Sequence, residues 1–188
     1  MKAKNVSPDT PKGSFSRDLI IRKLWALDEL SKIEDKFQSV YILGSWYGNM
    51  GFILDKTSDI SFDKLFNVDI DKETLDSSEK IYSMAEIKNV RFVHLDANKL
   101  KYRNAKSPNL VINTSINNIK GDQWFKNIPP GSLVLLQSRN NDLGSVNEID
   151  NIKDLKRSFP LKKILYAGTI DLSASEADYE SFMIIGIK

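Results

Sequence analysis

The feature that most constrains this chain lies in residues 40–51, where a short apolar segment runs into three closely spaced glycines. The segment Val-Tyr-Ile-Leu has the pattern of a buried strand, and the glycines after it predict a loop and the start of a helix. A second apolar segment, residues 65–68, leads into Asp69, about twenty positions after Gly48. In doubly wound α/β domains such glycines let the backbone approach a ligand, and the acid accepts hydrogen bonds from both ribose hydroxyls. The pattern therefore predicts a site for a ligand that carries a nucleoside.

Composition restricts the class of protein. The 188 residues predict a single domain, and a chain of this size buries roughly 70% of its unfolded surface. The formal charge of +2 is too balanced to indicate a nucleic-acid groove or a membrane surface, although a local basic patch stays open. The absence of cysteine excludes disulfides, thiolate catalysis and Cys-ligated zinc, and the single histidine, His94, argues against a metal site. We expect a soluble, cytoplasmic protein with a flexible arm over residues 1–14 and one domain over 15–188.

Apolar periodicity predicts a series of strand–helix units. A first helix is predicted over residues 17 to about 32, with Ser16 as its N-cap. Its expected inward face consists of Leu19, Ile20, Leu24, Leu27, Leu30 and Ile33. Strands are predicted at residues 40–43, 65–68, 90–95, 110–112 and 132–137, and further helices at 49–56, 72–85, 121–127 and 146–158. Asp71 is the expected cap of the helix 72–85, whose expected inward residues are Leu75, Ile81 and Met84.

The C-terminal part of the chain has a different pattern. Residues 163–167 and 182–187 are apolar strand candidates, and the polar linker between them shows no helical periodicity. Because parallel neighbours need a long crossover, usually a helix, these two strands are expected to be antiparallel. The chain thus predicts five βα-type units followed by a terminal hairpin.

This order of elements resembles that of the class I S-adenosylmethionine-dependent methyltransferases, over roughly residues 36–188. The resemblance implies an α/β fold with three layers: a Rossmann-like, doubly wound sheet of seven strands, mostly parallel, in the order 3-2-1-4-5-7-6. It also implies S-adenosylmethionine as cofactor. The loop expected to wrap the methionine part of that cofactor consists of Gly44, Ser45, Trp46, Tyr47 and Gly48.

The same resemblance assigns roles to residues after the next strands. Asp69, with Ile70 beside it, takes the position that binds the ribose, and Asp96, with Ala97, takes the position that binds the adenine amine. The segment Asn113-Thr-Ser115 takes the position that faces the transferring methyl group. An in-line displacement of a sulfonium methyl depends on alignment and desolvation, and it needs neither a metal nor a covalent intermediate. The residues expected to orient a nucleophile by hydrogen bonds are Asn113, Ser115 and Asn117.

The residues also distinguish between cofactors. A dinucleotide fingerprint has a glycine in its middle position so that the backbone can touch the pyrophosphate. Counted from Gly44, that position is occupied by Trp46, which is too bulky for such an approach. S-adenosylmethionine carries no phosphate, so its loop needs a close approach of the backbone but no site for an anion. An NAD-dependent oxidoreductase remains an alternative.

Two positions depart from the methyltransferase pattern. The acidic residue usual two positions before the first glycine is replaced by Ile42, and the middle glycine of the family's loop is replaced by Trp46. The loop Gly-Ser-Trp-Tyr-Gly is similar to that of small stand-alone methyltransferase-like proteins of large tailed phages. In those proteins Asn-Thr-Ser is followed by Cys-Glu-His, whereas this chain has Ile116-Asn117-Asn118. This comparison implies a loss of ionisable groups at the reacting edge.

Each candidate also has a purely structural interpretation. Gly44 and Gly48 can serve a strand-to-helix turn, and one acid of the pair Asp69 and Asp71 is expected to be a helix cap. Asp96 can cap the residues after it. Tyr47 and Trp124 can stack on a planar ligand, but packing of Trp124 and Phe125 against the sheet is favoured, as is a structural role for His94.

Together the sequence predicts methyl transfer from S-adenosylmethionine to a small-molecule or nucleobase acceptor. The alternative from another class is a non-catalytic binding module with a methyltransferase-like fold that binds the cofactor or a protein partner.

Overall fold

The computed structural model describes residues 15–102, 109–141, 145–147, 149–172 and 179–188. Seven strands form one sheet in the order β3-β2-β1-β4-β5-β7-β6. The strands are β1 Lys36–Leu43, β2 Ser61–Asp69, β3 Val90–His94, β4 Asn109–Asn113, β5 Leu133–Arg139, β6 Lys163–Asp171 and β7 Glu180–Ile187. β7 is antiparallel to both of its neighbours, and the other pairs are parallel. The predicted fold is therefore confirmed, including the strand order. The predicted arm over residues 1–14 lies outside the described residues.

Helices cover both faces of the sheet. They are α1 Arg17–Ser31, α2 Asn49–Thr57, α3 Lys72–Met84, α4 Gln123–Lys126 and α5 Ile152–Ser158. The first apolar cluster contains side chains of α1, α2 and α3, and the second contains side chains of α4 and α5. Central strands contribute to both, as Ile42 of β1 lies in the first cluster and Tyr41 in the second. Burial on both faces explains why these strands are continuously apolar in sequence. Among the described residues no helix has the length and apolar character needed to cross a bilayer.

The predicted helix over residues 146–158 is correct only in its second half. The described part of its first half is irregular, and α5 begins at Ile152 behind Asn151, whose side chain accepts hydrogen bonds from two backbone N–H groups. Asn147 accounts for the difference, because its Nδ2 donates to the carbonyls of Ile116 at 2.7 Å and Ile119 at 2.6 Å. These long-range hydrogen bonds outweigh the weak local preference for a helix.

Two predicted helix faces also need correction. In α1 Leu24 was expected to face inward but is 42% exposed, whereas Lys23 beside it is only 6% exposed. In α3 Met84 was expected to face inward but is 87% exposed at the last turn. The side chains that α3 buries are Thr74, Leu75, Ser78 and Tyr82. Polar residues line part of both buried faces, and a hydrophobic periodicity cannot detect them.

Candidate functional site

The carboxyl ends of four neighbouring strands meet at one edge of the sheet. Leu43 at the end of β1 lies opposite Val68 of β2 and Asn113 of β4, and Asp69 lies opposite His94 of β3. This register brings the glycine loop after β1, Asp69 and Asn113 together, as the sequence predicted. Ligands of open α/β sheets bind at this kind of edge. The roles of the individual residues toward a ligand remain predictions.

Asp69 holds the glycine loop in position. Its Oδ2 accepts a hydrogen bond from the Trp46 N–H at 2.6 Å, and its Oδ1 accepts one from the Asp71 N–H at 3.0 Å. Each carboxylate oxygen has a further lone pair, so both can accept another hydrogen bond. Asp71 instead caps α3 by accepting from the N–H groups of Glu73 and Thr74. One acid of the pair is thus a cap, as the sequence suggested.

Trp46 has an unusual backbone conformation. Its φ is 51°, in the left-handed region that bulky residues rarely adopt. Its indole lies against the buried ring of Tyr47, with 5.2 Å between the ring centroids. The loop therefore keeps a glycine-like backbone at this position but carries a large side chain there. Backbone strain of this kind is concentrated at functional sites, which is consistent with a functional role of this loop.

Gly48 and Gly51 make room for α3 behind the loop. Gly48 has a φ of 74°, and a Cβ built there would lie 2.1 Å from Ser78 Oγ and 2.8 Å from Tyr82 Cε2. A Cβ on Gly51 would lie 2.5 Å from the Tyr82 hydroxyl and 2.8 Å from Leu65 Cδ2. That hydroxyl donates a hydrogen bond to the carbonyl of Gly48. Close packing inside the protein is thus one reason for both glycines.

Gly44 is packed against the loop that follows β4. Its φ is 59°, and the Ser115 Oγ donates a hydrogen bond to its carbonyl at 2.9 Å. Asn113 Oδ1 in turn accepts from the Ser115 N–H at 2.9 Å. Two buried polar atoms at these loops, Ser45 Oγ and Asn113 Nδ2, make no hydrogen bond to the described residues. Because buried polar groups are nearly always paired, these two atoms indicate hydrogen-bonding capacity available to a ligand or a water molecule.

Asn117 is tied to β5. Its Nδ2 donates to the carbonyl of Arg139 at 3.2 Å, and its Oδ1 accepts from the hydroxyl of Ser138. Its carbonyl also accepts from the N–H of Val146 at 2.8 Å. Asn113 and Ser115 therefore contact each other near the glycine loop, whereas the Asn117 amide is engaged by neighbouring backbone and side chain. In this structure Asn117 fixes the loop after β4 against β5.

Asp96 combines a cap with unused acceptor capacity. Its Oδ1 accepts from both the N–H and the Nδ2 of Asn98, at 2.9 and 3.0 Å, which caps the short turn Ala97–Lys99. The Oδ2 forms no hydrogen bond within the described residues, although the residue is half-buried. One carboxylate oxygen of Asp96 thus stabilises the local turn, and the other can accept a hydrogen bond from an amine.

The neighbours predicted to accompany these acids differ in exposure. Ile70 is 69% exposed, whereas Ala97 is buried in the second apolar cluster. His94 is exposed, with its Nε2 3.0 Å from the carbonyl of Ile70. Trp124 is completely buried and donates from Nε1 to the carbonyl of Gly121. A core role for Trp124, the favoured interpretation, is therefore what the structure shows.

A buried polar group beneath the glycine loop was not found from the sequence. Asn67 is completely buried on β2, and neither atom of its amide nor the Ser78 Oγ makes a hydrogen bond within the described residues. Burial raises the pKa of the neighbouring Tyr82 phenol, so this group stays protonated as a donor. The only signal in the sequence is that an asparagine interrupts the apolar segment 65–68. A strand buried on both faces is normally apolar throughout, so a polar residue inside it is unexpected.

A buried lysine near the carboxyl end of β5 was also missed. Burial, and then the neighbouring Arg22 charge, lowers the pKa of Lys23 to about 7. None of the described carboxylates forms an ion pair with it. The adjacent backbone is fixed to β5, since Gln137 Nε2 donates to the carbonyl of Arg22 at 3.0 Å. Lys23 is therefore a buried amine with no ion-pair partner among the described carboxylates.

Comparison with known proteins places the fold. No family model matches the chain, and no curated protein matches it in sequence. The PH0226 protein from Pyrococcus horikoshii has a TM-score of 0.68 at 16% identity, covering 98% of this chain and 97% of that chain. A SAM-dependent methyltransferase from Aquifex aeolicus has a TM-score of 0.64 at 12% identity, with 89% and 96% covered. The [4+2]-cyclase SpnF has a TM-score of 0.68 at 10% identity, with 93% and 83% covered. Identities this low establish the fold alone, and this chain has the seven-stranded α/β fold of the Aquifex methyltransferase.

Proposed function

We propose that this protein binds S-adenosylmethionine at the carboxyl edge of its sheet and transfers the methyl group to a small-molecule or nucleobase acceptor. The observation that carries the proposal is the Asp69 carboxylate, which is joined by a 2.6 Å hydrogen bond to the Trp46 N–H of the glycine loop. The site lies where nucleoside ligands bind in this type of sheet. The Aquifex neighbour is a SAM-dependent methyltransferase, which supports the same cofactor here.

The available polar atoms fit such a cofactor. Asp69 retains acceptor capacity for the two ribose hydroxyls, and Asp96 Oδ2 can accept from the adenine amine. Ser45 Oγ and Asn113 Nδ2 are buried hydrogen-bonding atoms next to the loop expected to hold the methionine part. S-adenosylmethionine supplies, when bound, an electrophilic methyl group on a sulfonium.

The chain's own contribution to the reaction is orientation. Asn113 is held by its hydrogen bond to the Ser115 N–H, so its Nδ2 can orient an acceptor without rotating. Few ionisable groups follow β4, so catalysis would depend on alignment of the reactants and exclusion of water. Proximity and orientation alone can lower an activation barrier by about 7 to 11 kcal/mol.

A non-catalytic binding module remains the second candidate, and one observation favours it. Positions 116–118, where the phage-like pattern has Cys-Glu-His, are Ile-Asn-Asn here, and Asn117 is engaged in structural hydrogen bonds. The SpnF neighbour is a [4+2]-cyclase, which illustrates that this fold serves other reactions as well.

Binding is tested first with S-adenosylhomocysteine and a thermal melt. At about a hundredfold excess over Kd, ligand binding stabilises the folded state by about 2.7 kcal/mol. We therefore expect the melting temperature to rise by about 5 to 10 °C. Asp69→Ala should abolish this rise because it removes the ribose acceptor and releases the Trp46 N–H.

The matched control is Asp71→Ala, two residues away. It removes the α3 cap and should cost about 1 kcal/mol of stability, yet keep the full ligand-induced shift. Equal loss of the shift in both variants would show that loop disruption, and not loss of a ribose contact, is being measured. A well-folded wild-type protein whose melting temperature rises with NADH and not with S-adenosylhomocysteine would overturn the proposal in favour of an oxidoreductase.

A further inference from the structure

A small polar cluster lies beneath the glycine loop. It consists of Asn67 on β2 and of Ser78 and Tyr82 on α3, and none of the three is more than 1% exposed. Asn67 comes two residues before Asp69, so the two side chains lie on the same face of β2. Because all three members are buried, they have no surface to offer to a ligand.

Tyr82 connects this cluster to the loop. Its hydroxyl donates a hydrogen bond to the carbonyl of Gly48, which also accepts from the Phe52 N–H at 3.0 Å at the start of α2. The Tyr82 ring is held edge to face by Phe52 and Phe92, with ring centroids 6.3 and 5.3 Å away. Because the ring is fixed, the remaining freedom of this contact is the direction of the hydroxyl hydrogen.

Asn67 is placed to fix that direction. Burial raises the pKa of the Tyr82 phenol, and the Asn67 amide beside the phenol opposes this shift. The phenol oxygen can accept a hydrogen bond while its own hydrogen points elsewhere. An amide donor on that oxygen leaves the Gly48 carbonyl as the partner of the hydroxyl. Ser78 lies against the same glycine, since a Cβ on Gly48 would be 2.1 Å from its Oγ.

The polar atoms of this cluster reduce the stability of the fold. The Nδ2 and Oδ1 atoms of Asn67 and the Oγ of Ser78 are buried, and none meets the geometry of a hydrogen bond within the described residues. Such atoms are costly, so an apolar side chain would suit position 67 better. Ile42 opposite on β1 and Leu65 two residues before both belong to the first apolar cluster. Departures from packing rules are expected where a function requires them.

A displaced Gly48 carbonyl would change the loop before it. The Gly48 N–H donates to the Ser45 carbonyl at 2.8 Å and closes a tight turn. Within that turn the Trp46 N–H donates to Asp69. The turn is therefore held from below by Tyr82 and from the side by Asp69.

We propose that Asn67 is a positioning residue of the glycine loop and acts through Tyr82. It directs the Tyr82 hydroxyl to the Gly48 carbonyl, and this contact sets the loop to which the nucleoside ligand binds. With respect to the ligand the inference rests on the proposed function, whereas the effect on the loop is measurable without any ligand.

Isothermal titration of the full chain with S-adenosylhomocysteine tests the effect on binding. Asn67→Leu keeps the branching of the side chain and should raise Kd about threefold to tenfold, which corresponds to one lost neutral hydrogen bond. Tyr82→Phe should do the same. Because both residues act through one contact, Asn67→Leu should add less than about twofold in the Tyr82→Phe background. The melting temperature of Asn67→Leu without ligand should be equal to that of wild type or higher, since two unpaired polar atoms are removed.

The matched control is Gln137→Met, which removes another fully buried amide, on β5. It should leave Kd within about twofold of wild type, because Gln137 donates to the Arg22 carbonyl and not to the loop.

Hydrogen exchange measured by NMR without ligand tests the effect on the loop. In Asn67→Leu and Tyr82→Phe the amides of Trp46 and Gly48 should exchange at least about threefold faster than in wild type, and in Gln137→Met they should not. Unchanged loop exchange in Asn67→Leu would overturn the inference, as would additive losses of affinity in the double variant or a lower melting temperature of Asn67→Leu. A wild type that binds no S-adenosylhomocysteine, with loop exchange still faster in both variants, would overturn the proposed function and support the positioning role.

Discussion

Gly48→Ala is expected to lower the free energy of unfolding by about 2 to 5 kcal/mol. Two effects add at this position. The φ of 74° is unfavourable for any residue with a Cβ, at a cost of about 1 to 2 kcal/mol. The new methyl group would also lie 2.8 Å from Tyr82 Cε2, in a rigid and buried ring, and overpacking of this kind costs about 1 to 3 kcal/mol. Urea unfolding followed by circular dichroism measures the change.

Gly131→Ala separates the two effects. Gly131 has a φ of 86°, similar to that of Gly48, but a Cβ there would meet nothing within 4 Å. Its cost should therefore be the backbone cost alone, about 1 to 2 kcal/mol. Equal destabilisation by the two substitutions would show that α3 yields freely, and that the close packing behind the loop does not determine the identity of residue 48.

Lys23→Met is expected to stabilise the protein at pH 7 by about 3 to 5 kcal/mol, because it removes a buried amine that is harder to protonate in the folded protein than in the unfolded chain, and it keeps the apolar stem. The folded-state pKa of Lys23 is about 7, against 10.5 in the unfolded chain. Between these two values the unfolded chain binds more protons, so the contribution of Lys23 to wild-type stability rises with pH by about 1.4 kcal/mol per unit. The advantage of the variant is full below pH 7 and disappears near pH 10.5.

Urea unfolding of both proteins at pH 7 and pH 9 checks this. The difference between them should shrink by about 2 to 3 kcal/mol over that interval. Lys32→Met, an exposed lysine just after the same helix, should change stability by less than about 0.5 kcal/mol at either pH. A constant difference between Lys23→Met and wild type would mean that Lys23 is not desolvated in the folded protein.

The strands were predictable because strands buried on both faces have continuously apolar sequences. β1, β4, β5 and β7 are apolar on both faces, and only a central position in a covered sheet requires such a run. The terminal hairpin followed from the missing crossover helix. The first half of the 146–158 helix failed because Asn147 forms hydrogen bonds to residues about thirty positions away, a contact that no local pattern contains.

The positions of the candidate site residues could be predicted from the sequence, but the hydrogen bonds among them could not. Asp69 and Asn113 end strands and Asp96 follows one, and parallel strands bring such positions together. Nothing in the spacing indicated that Ser115 would bond to Gly44, or that Asn117 would be bound to β5. Lys23 was missed because a charged residue beside an apolar stripe is normally assigned to the solvent face.

The glycine loop is anchored by hydrogen bonds from three different elements. The Asp69 carboxylate at the end of β2 accepts from the Trp46 N–H, the Ser115 hydroxyl after β4 donates to the Gly44 carbonyl, and the Tyr82 hydroxyl of α3 donates to the Gly48 carbonyl. A loop that is held in one conformation in this way loses little conformational entropy when a ligand binds. Less of the free energy of the ligand contacts is then spent on ordering the loop, and the affinity is higher. Substitutions in α3, one layer behind the site, should consequently alter affinity through the shape of the loop without touching the ligand.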